Sequence, residues 1–324
     1  MEGRESDAGP RDAGAIQTEL EEASDELRRG ALYPEPMRAG RPTGPIGRAL
    51  HRMRLGLRGE LARREAAVDE ELVRAPSLSR PHTIALMSPK GGVGKTTLSF
   101  VLGDLLAAQL HLRVVVLDVN PDFGTLASLV ADQHRCPRSL ADLLADAEAV
   151  QSPAELHHYV SRLPSGLHLL GAPAHPDVMA QLTPGLYAQL VDLLEGFYEV
   201  VILDLGSGIT DPLTRFAIDR ADQRIVVSTP EWITASGVLG ALRHLQLDDG
   251  TVVLNRASNG RGAQQRATLM DTFSRHGIPT RAAIPYDRRL HAMLDSGTYA
   301  FSELNAATRV PLKELAATVA RRFA

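Results

Sequence analysis

This 324-residue chain is predicted to form an α/β fold with a doubly wound, mostly parallel sheet. From residue 82 onward, short apolar segments alternate with helix-like ones, which is typical of a sheet covered by helices on both faces. Most of the apolar segments are continuous, as at residues 114–117 and 200–203, and this favours strands buried on both faces. Polar residues directly follow several of these segments, where parallel sheets form their binding sites.

Seven segments are predicted to be strands, with helices between them. The strands are residues 82–87, 113–118, 167–170, 199–204, 224–228, 251–254 and 281–284. No internal repeat interrupts this alternation, so we expect one continuous domain over residues 81–324.

Residues 1–80 differ from the rest and are interpreted as a polar N-terminal extension. Residues 1–30 contain nine acidic residues against four arginines, and residues 31–45 contain four prolines, so we expect disorder there. Residues 38–64 then carry eight arginines against one acid, and the pattern over 46–73 predicts a basic helix. Three hypotheses remain open for this helix: a solvated linker, a segment docked on a partner or on its own acidic tail, or a contact with nucleic acid or anionic lipid.

The composition restricts the class of protein. Hydrophobic residues make up 44% of the chain and aromatic residues only 4%, so the core should be aliphatic. A net charge of −4 argues against a general polyanion binder. The single cysteine, Cys136, excludes an internal disulfide and suits a reducing cytosol. No transmembrane segment or signal peptide is recognised, so we expect a cytoplasmic protein that reaches a membrane only peripherally or through a partner.

The segment 88–97, Ser-Pro-Lys-Gly-Gly-Val-Gly-Lys-Thr-Thr, indicates a phosphate-binding loop between a strand and a helix. Glycines let backbone N–H groups surround an anion, and the following helix directs the positive end of its dipole at the same charge. Lys95 would reach the β- and γ-phosphates, and the Thr96 hydroxyl would bind Mg²⁺. The residues of this candidate site are Lys90, Gly91, Gly92, Val93, Gly94, Lys95, Thr96 and Thr97.

The loop departs from the general pattern at Pro89, where a glycine is usual, and it carries an additional lysine at Lys90. It fits Lys-Gly-Gly-x-Gly-Lys-Thr instead and resembles the MinD/ParA family of deviant Walker ATPases over residues 82–324. This resemblance implies a SIMIBI-type P-loop NTPase fold with ATP and Mg²⁺ as ligands. It also implies that Lys90 reaches the phosphates of a facing subunit, so that two copies enclose ATP between them.

Two acidic residues at the ends of apolar segments complete the expected magnesium site. Asp118 could hold a water molecule of the Mg²⁺ shell, and Asp204 resembles the Walker B aspartate of the family. The family motif after the second strand is often Asp-x-Asp-Pro, and its second acid positions the attacking water. Here Asn120 stands in that place, and an amide orients water but cannot accept its proton, which puts the hydrolysis rate in question. Asp122 is a candidate substitute.

Two further positions correspond to the base pocket of the family. Asn255 matches the asparagine that reads adenine, because its amide offers a donor and an acceptor, and Pro285 lies in a segment that lines the same pocket. Trp232 is expected to pack in or at the rim of the core, or else to lie at a dimer or partner face.

The function implied by the resemblance is a Mg²⁺-dependent ATPase that acts as a dimerising nucleotide switch and positions or regulates a protein partner. Residues 88–97, 118–126 and 285–290 look most similar to actinobacterial members associated with type VII secretion, so the partner is expected in a membrane-associated complex. One alternative is an ATP-binding scaffold with negligible hydrolysis, which Asn120 favours. Another is a partitioning ATPase that binds nucleoid DNA, a less favoured partner, through Arg256, Arg261, Arg266 and Arg275.

Overall fold

The computed structural model describes residues 45–120, 124–208, 211–245, 250–257, 263–275 and 280–323. Within these residues, eight strands form one sheet in the order β3-β4-β2-β5-β1-β6-β7-β8. Neighbouring strands are parallel except for the antiparallel pair β3 and β4. The strands are β1 His82–Ser88, β2 Val114–Val119, β3 Ser161–Arg162, β4 Leu167–Leu170, β5 Val200–Ser207, β6 Gln223–Ser228, β7 Thr251–Leu254 and β8 Thr280–Ala283.

Eleven α-helices lie in the described part of the chain. They are α1 Pro45–Val73, α2 Lys95–Leu110, α3 Leu140–Ala145, α4 Pro153–Leu156, α5 Pro176–Met179, α6 Pro184–Glu195, α7 Pro212–Arg220, α8 Trp232–Leu245, α9 Ala263–Arg275, α10 Arg288–Asp295 and α11 Ala306–Ala320. Short 3₁₀ turns occur at Leu126–Leu129, Asp132–His134, Ala147–Ala149 and Phe301–Glu303.

The sheet is buried on both faces because successive residues of its central strands join two separate hydrophobic cores. In β2, Val114 and Val116 belong to the core that includes α2 and α11, whereas Val115 and Leu117 belong to the core that includes α6 and α8. Every residue of β1 and β2 is buried. This arrangement explains the continuous apolar segments and confirms the predicted doubly wound α/β fold.

All seven predicted strands are present, with ends that differ by a few residues at most. β3 was not predicted, because two residues are too short to show any periodicity. Both acidic candidates were predicted as the last residue of their strand but lie before its end, since β2 continues beyond Asp118 to Val119 and β5 continues beyond Asp204 to Ser207.

The predicted basic helix is present as α1, and the end of it packs against the sheet domain. Val68 is 7% exposed and Leu72 is 3% exposed, and both belong to the same core as α11. By its contacts, the chain from Arg52 to Ala324 forms one compact unit. The second half of α1 is therefore part of this unit and not a solvated linker. Residues 1–44, where disorder was expected, lie outside the described residues.

A ladder of ion pairs joins α1 to α11. Glu65 accepts hydrogen bonds from Nε and Nη2 of Arg309 at 2.8 and 2.9 Å, and Lys313 Nζ lies 3.1 Å from the same carboxylate. Lys313 also donates to Asp69 at 3.0 Å. These bonds, led by the one from Arg309, lower the pKa of Glu65 to about 2, although partial burial opposes them. Two outer pairs, Arg64 with Glu314 and Arg321 with Glu71, extend the ladder.

No helix in the described ranges is both long enough and apolar enough to cross a membrane. The helix α11, which ends the described part of the chain, buries its apolar side chains in the sheet domain instead, among them Leu312, Leu315 and Val319.

Replacing Glu65 with glutamine should lower the free energy of unfolding at pH 7 by roughly 2 kcal/mol, because Arg309 and Lys313 would lose their shared counter-charge. The pKa of Glu65 is lower in the folded state than in the unfolded chain, so its contribution is complete above about pH 4.5 and declines as the pH falls towards 2. Urea denaturation at pH 7 and at pH 3 measures both effects.

The matched control is Glu70→Gln on the same helix, since the ion pair that Glu70 makes in the described part of the chain is with the exposed Arg74. That change should cost less than about 0.5 kcal/mol. Equal losses for the two variants would show that the ladder does not hold α1 to the domain.

Candidate nucleotide-binding site

The loop between β1 and α2 has the backbone shape of a phosphate-binding loop. Gly92 and Gly94 adopt left-handed conformations, with φ of 74° and 90°. A Cβ atom added to Gly94 would lie 2.3 Å from Nδ2 of Asn255, whereas one added to Gly92 would meet nothing within 4 Å. Glycine is therefore required at position 94 by the backbone conformation and by the close approach of the Asn255 side chain. At position 92 it is required by the backbone conformation alone.

Lys95 opens α2 and lies inside the loop. Its side chain is buried, and this burial lowers the pKa of its ammonium group, while the charge of Asp204 partly opposes that shift. Two further side chains of α2 contact Asp204. The Thr96 side chain is hydrogen-bonded to it, and Ser99 Oγ donates to Oδ1 of Asp204 at 2.9 Å. Ser99 was not singled out from the sequence, although its position three residues after Thr96 places it on the same helix face.

Asp118 and Asp204 are direct neighbours in the parallel pairing of β2 with β5. Each is 1% exposed. Burial is the main reason why the pKa of Asp204 rises to about 7, and the negative charge of Asp118 adds to it. The pKa of Asp118 is raised as well, again by burial, against hydrogen bonds from backbone N–H groups. The sheet therefore holds two buried carboxylates side by side next to Lys95.

The Asp118 carboxylate is contacted by residues that follow β2 in the chain. The N–H of Asn120 donates to Oδ1 at 3.2 Å, and the N–H of Leu126 donates to Oδ2 at 3.0 Å. Gly124 approaches so closely that an added Cβ would lie 2.6 Å from Oδ2. The backbone of Asn120 therefore lies beside Asp118, and the role of its side chain stays a prediction. Asp122, the candidate substitute for the missing acid, lies outside the described residues.

Asn255, directly after β7, is hydrogen-bonded to the phosphate-binding loop. Its Nδ2 donates to the carbonyl oxygen of Val93 at 2.8 Å, and its Oδ1 accepts the N–H of Arg256 at 2.9 Å. Asn255 and Pro285 also line one small cavity beside Thr97. Its predicted contact with adenine stays a prediction, and the structure adds that Asn255 holds the loop itself.

The exposed face next to the loop carries charged and apolar residues. Lys90 is exposed, and together with Arg256 it contributes to the lowered pKa of Glu231, whose main cause is a hydrogen bond from Thr229. The residues after Glu231 begin α8, and there Trp232 is 62% exposed and Ile233 is 74% exposed. Trp232 is thus not a core residue, and its predicted place at a dimer or partner face stays a prediction.

The oxygen atoms at this site fit a magnesium ion bound together with phosphates. Thr96, Asp118 and Asp204 offer a hydroxyl group and two carboxylates, and Mg²⁺ prefers such ligands. A cation would also favour the ionised form of both buried acids, whose pKa is raised mainly by burial. Among the described residues, no group of three or more His, Cys, Asp and Glu residues could hold a metal ion by itself, so phosphate oxygens and water would have to complete the shell.

Residues 81–249 match the family described as "AAA domain". The chain belongs to the MinD/ParA family of P-loop ATPases. It is 30% identical over 252 residues to the "ESX-1 secretion-associated protein EspI" of Mycobacterium tuberculosis H37Rv, an alignment that covers 75% of this chain and 37% of the relative. The chain thus spans little more than a third of the length of this curated relative.

Solved structures support the same fold. The ParA family ATPase of Chlorobium tepidum TLS has a TM-score of 0.62 at 20% identity, over 72% of this chain and 98% of that chain. The septum site-determining protein MinD of Pyrococcus horikoshii OT3, solved with Mg-ADP, has a TM-score of 0.59 at 19% identity, over 74% of this chain and 96% of that chain. The predicted P-loop NTPase fold is therefore confirmed.

Gly94→Ala should destabilise the protein more than Gly92→Ala, and we expect a difference of at least about 1 kcal/mol. Both changes force a left-handed conformation on alanine, but only the Cβ at position 94 would collide with Asn255. Thermal or urea unfolding of the two variants isolates the cost of that collision. Adding Asn255→Gly to Gly94→Ala should recover part of the loss, and equal stabilities for both single variants would contradict the close approach.

Proposed function

We propose that the protein is a Mg²⁺-dependent ATPase that converts ATP to ADP and phosphate and acts as a dimerising nucleotide switch. The main supporting observation is the convergence of Lys95, Asp118 and Asp204 beside a glycine-rich loop that has the required left-handed backbone. Membership of the MinD/ParA family supports the same proposal.

The residues of the site have separate roles in this proposal. Lys95 binds the β- and γ-phosphates, and the backbone of residues 91–97 surrounds them. Thr96 would hold the magnesium ion, and Asp118 and Asp204 would bind it directly or through water. When bound, the ion supplies positive charge that neutralises the phosphates as the terminal bond breaks. Asn120 orients the attacking water but accepts no proton from it.

The homodimer is supported by the face that carries Lys90. An exposed cation at the mouth of the loop is free to reach a phosphate outside its own site, and the neighbouring Trp232 and Ile233 offer apolar area that association would bury. Two copies with ATP between them would bring Lys90 of each to the nucleotide of the other. Binding of ATP then favours the dimer, and hydrolysis loosens it.

The output of the switch is a protein–protein interaction. The similarity to a secretion-associated mycobacterial protein supports a partner in a membrane-associated secretion complex. Because that relative is much longer, its whole activity does not transfer. The protein would act in the cytoplasm and reach the membrane through this partner.

Lys95→Ala and Lys90→Ala should separate binding from dimerisation. Lys95→Ala should reduce ATP affinity at least about 100-fold, because a buried ammonium group in the loop is lost. Lys90→Ala should bind ATP with Mg²⁺ within about threefold of the wild type yet remain monomeric. Calorimetry measures the first quantity and multi-angle light scattering with ATP the second. Dimerisation of Lys90→Ala at the wild-type concentration would contradict the role of Lys90 across the interface.

A scaffold that binds ATP and hardly hydrolyses it is the second candidate, and Asn120 is the observation that favours it. The DNA-partitioning alternative has less support. Arg275 is already paired with Asp271 at 2.5 Å, and Arg261 lies outside the described residues. These two of the four candidate arginines therefore add no support to a DNA-binding face.

Asn120→Asp distinguishes the slow ATPase from the scaffold. A carboxylate at this position can accept a proton from water, so the turnover number should rise by about tenfold or more, with little change in ATP affinity. Steady-state phosphate release measures it. Asn120→Ala is the matched control and should not accelerate turnover. A rate that stays equal for all three proteins would show that residue 120 does not act on the attacking water.

A further inference from the structure

A second cavity, of about 360 Å³, lies at the other end of α2 from the phosphate-binding loop. α2 begins with Lys95 at the loop and its 16 residues extend about 24 Å. His111 follows the end of the helix and lines this cavity. The volume is within the range of small-molecule sites. Its other main lining residues are Leu112, Leu156, His157, His168 and Phe197.

A chain of edge-to-face rings forms the polar wall of the cavity. The rings of His157 and His168 have centroids 5.2 Å apart, and those of His168 and Tyr198 are 5.5 Å apart. A hydrogen bond of 2.7 Å between His168 Nδ1 and the Tyr198 hydroxyl fixes this arrangement. Within the described residues, Nε2 of His168 and both ring nitrogens of His157 have no hydrogen-bond partner. The wall therefore presents unused polar nitrogens on rigidly packed rings.

The charges around this wall are mainly positive. Burial is the main reason why the pKa of both His157 and His168 is lowered, that of His168 to about 4. The positive charge of Arg162 lowers both pKa values further. Arg162 is exposed on β3 and is not itself a lining residue of the cavity, but it is the partner of His168 in the antiparallel pairing of β3 with β4. Its guanidinium has no ion pair or hydrogen bond in the described part of the chain.

Other charged groups near the cavity are already compensated. Arg113 also lines it, paired with Glu199. The buried Asp104 lies behind it and is hydrogen-bonded to Ser165 of the lining. His111, His158 and Tyr198 complete the titratable groups. The cation beside the ring wall that lacks an acidic partner among the described residues is therefore Arg162, which lies opposite His168 in the sheet.

We propose that this cavity binds a small organic anion with an apolar body. Leu112, Leu156 and Phe197 would contact the apolar body, and the anionic group would lie at His157 and His168, on the side where Arg162 supplies the positive charge. An anion there would compensate Arg162 and give the free ring nitrogens a partner. The site is separate from the nucleotide site and does not depend on the proposed ATPase activity.

Three probes of the same shape test the charge preference: benzoate, benzamide and benzamidinium carry charges of −1, 0 and +1. Titrations followed by NMR of the histidine ring protons report directly on the wall. Benzoate should shift the His157 and His168 resonances and bind at least about fivefold more tightly than benzamide, with no binding of benzamidinium. Equal binding of benzoate and benzamide, or no shift with any probe, would overturn the proposal.

Variants locate the site. Arg162→Gln should weaken benzoate binding about fivefold and leave benzamide unchanged, whereas Arg63→Gln, which removes an exposed arginine on α1, should change neither. His157→Phe keeps the stacked ring but removes both nitrogens, so it too should weaken benzoate binding. Lys95→Ala should bind benzoate like the wild type. Loss of benzoate binding in Lys95→Ala, with Arg162→Gln unaffected, would place the anion at the phosphate-binding loop and overturn the inference.

Discussion

The candidate site depends on one constraint: two carboxylates are buried side by side within the sheet. The parallel register of β2 and β5 makes Asp118 and Asp204 neighbours, and each is almost completely removed from water. Such a pair is costly to ionise, so the surrounding structure must supply compensation. Thr96 and Ser99 of α2 provide it at Asp204, and backbone N–H groups provide it at Asp118. The loop, the helix and both strands are thus organised around the same negative charge.

Much of this could be predicted from sequence because the decisive signals are local. A continuous apolar segment and the polar residue within or after it mark a buried parallel strand and its functional end, as at Asp118 and Asp204. The loop is recognisable from ten consecutive residues. What the sequence cannot specify is which strand lies beside which. The order that places β5 between β2 and β1 brings Asp204 next to Asp118 on one side and Leu86 on the other, and this follows only from the assembled sheet.

The docking of α1 could not be read from sequence, for a related reason. Its arginines suggested a solvated or ligand-binding helix, because the complementary charges are about 250 residues away in the chain. The spacing of Glu65 and Asp69 on α1 matches that of Arg309 and Lys313 on α11, so each helix presents one charged row at i, i+4. Either row alone resembles an ordinary solvent-facing helix surface. Only their packing, with Val68 and Leu72 beneath, shows that they belong together.

The backbone of Asn120 is hydrogen-bonded to Asp118. The same carboxylate that would hold the magnesium shell accepts the N–H of Asn120 on one oxygen and the N–H of Leu126 on the other. A cation bound to Asp118 would therefore share this carboxylate with the N–H groups of Asn120 and Leu126. Because hydrogen bonds to a carboxylate weaken as its charge is shared, a cation bound at Asp118 would weaken the bonds from the N–H groups of Asn120 and Leu126. The sequence departs from the family pattern at Asn120, but the bond to Asp118 comes from the backbone of that residue, so the proposed effect of the amide side chain is on the hydrolysis rate and not on this contact.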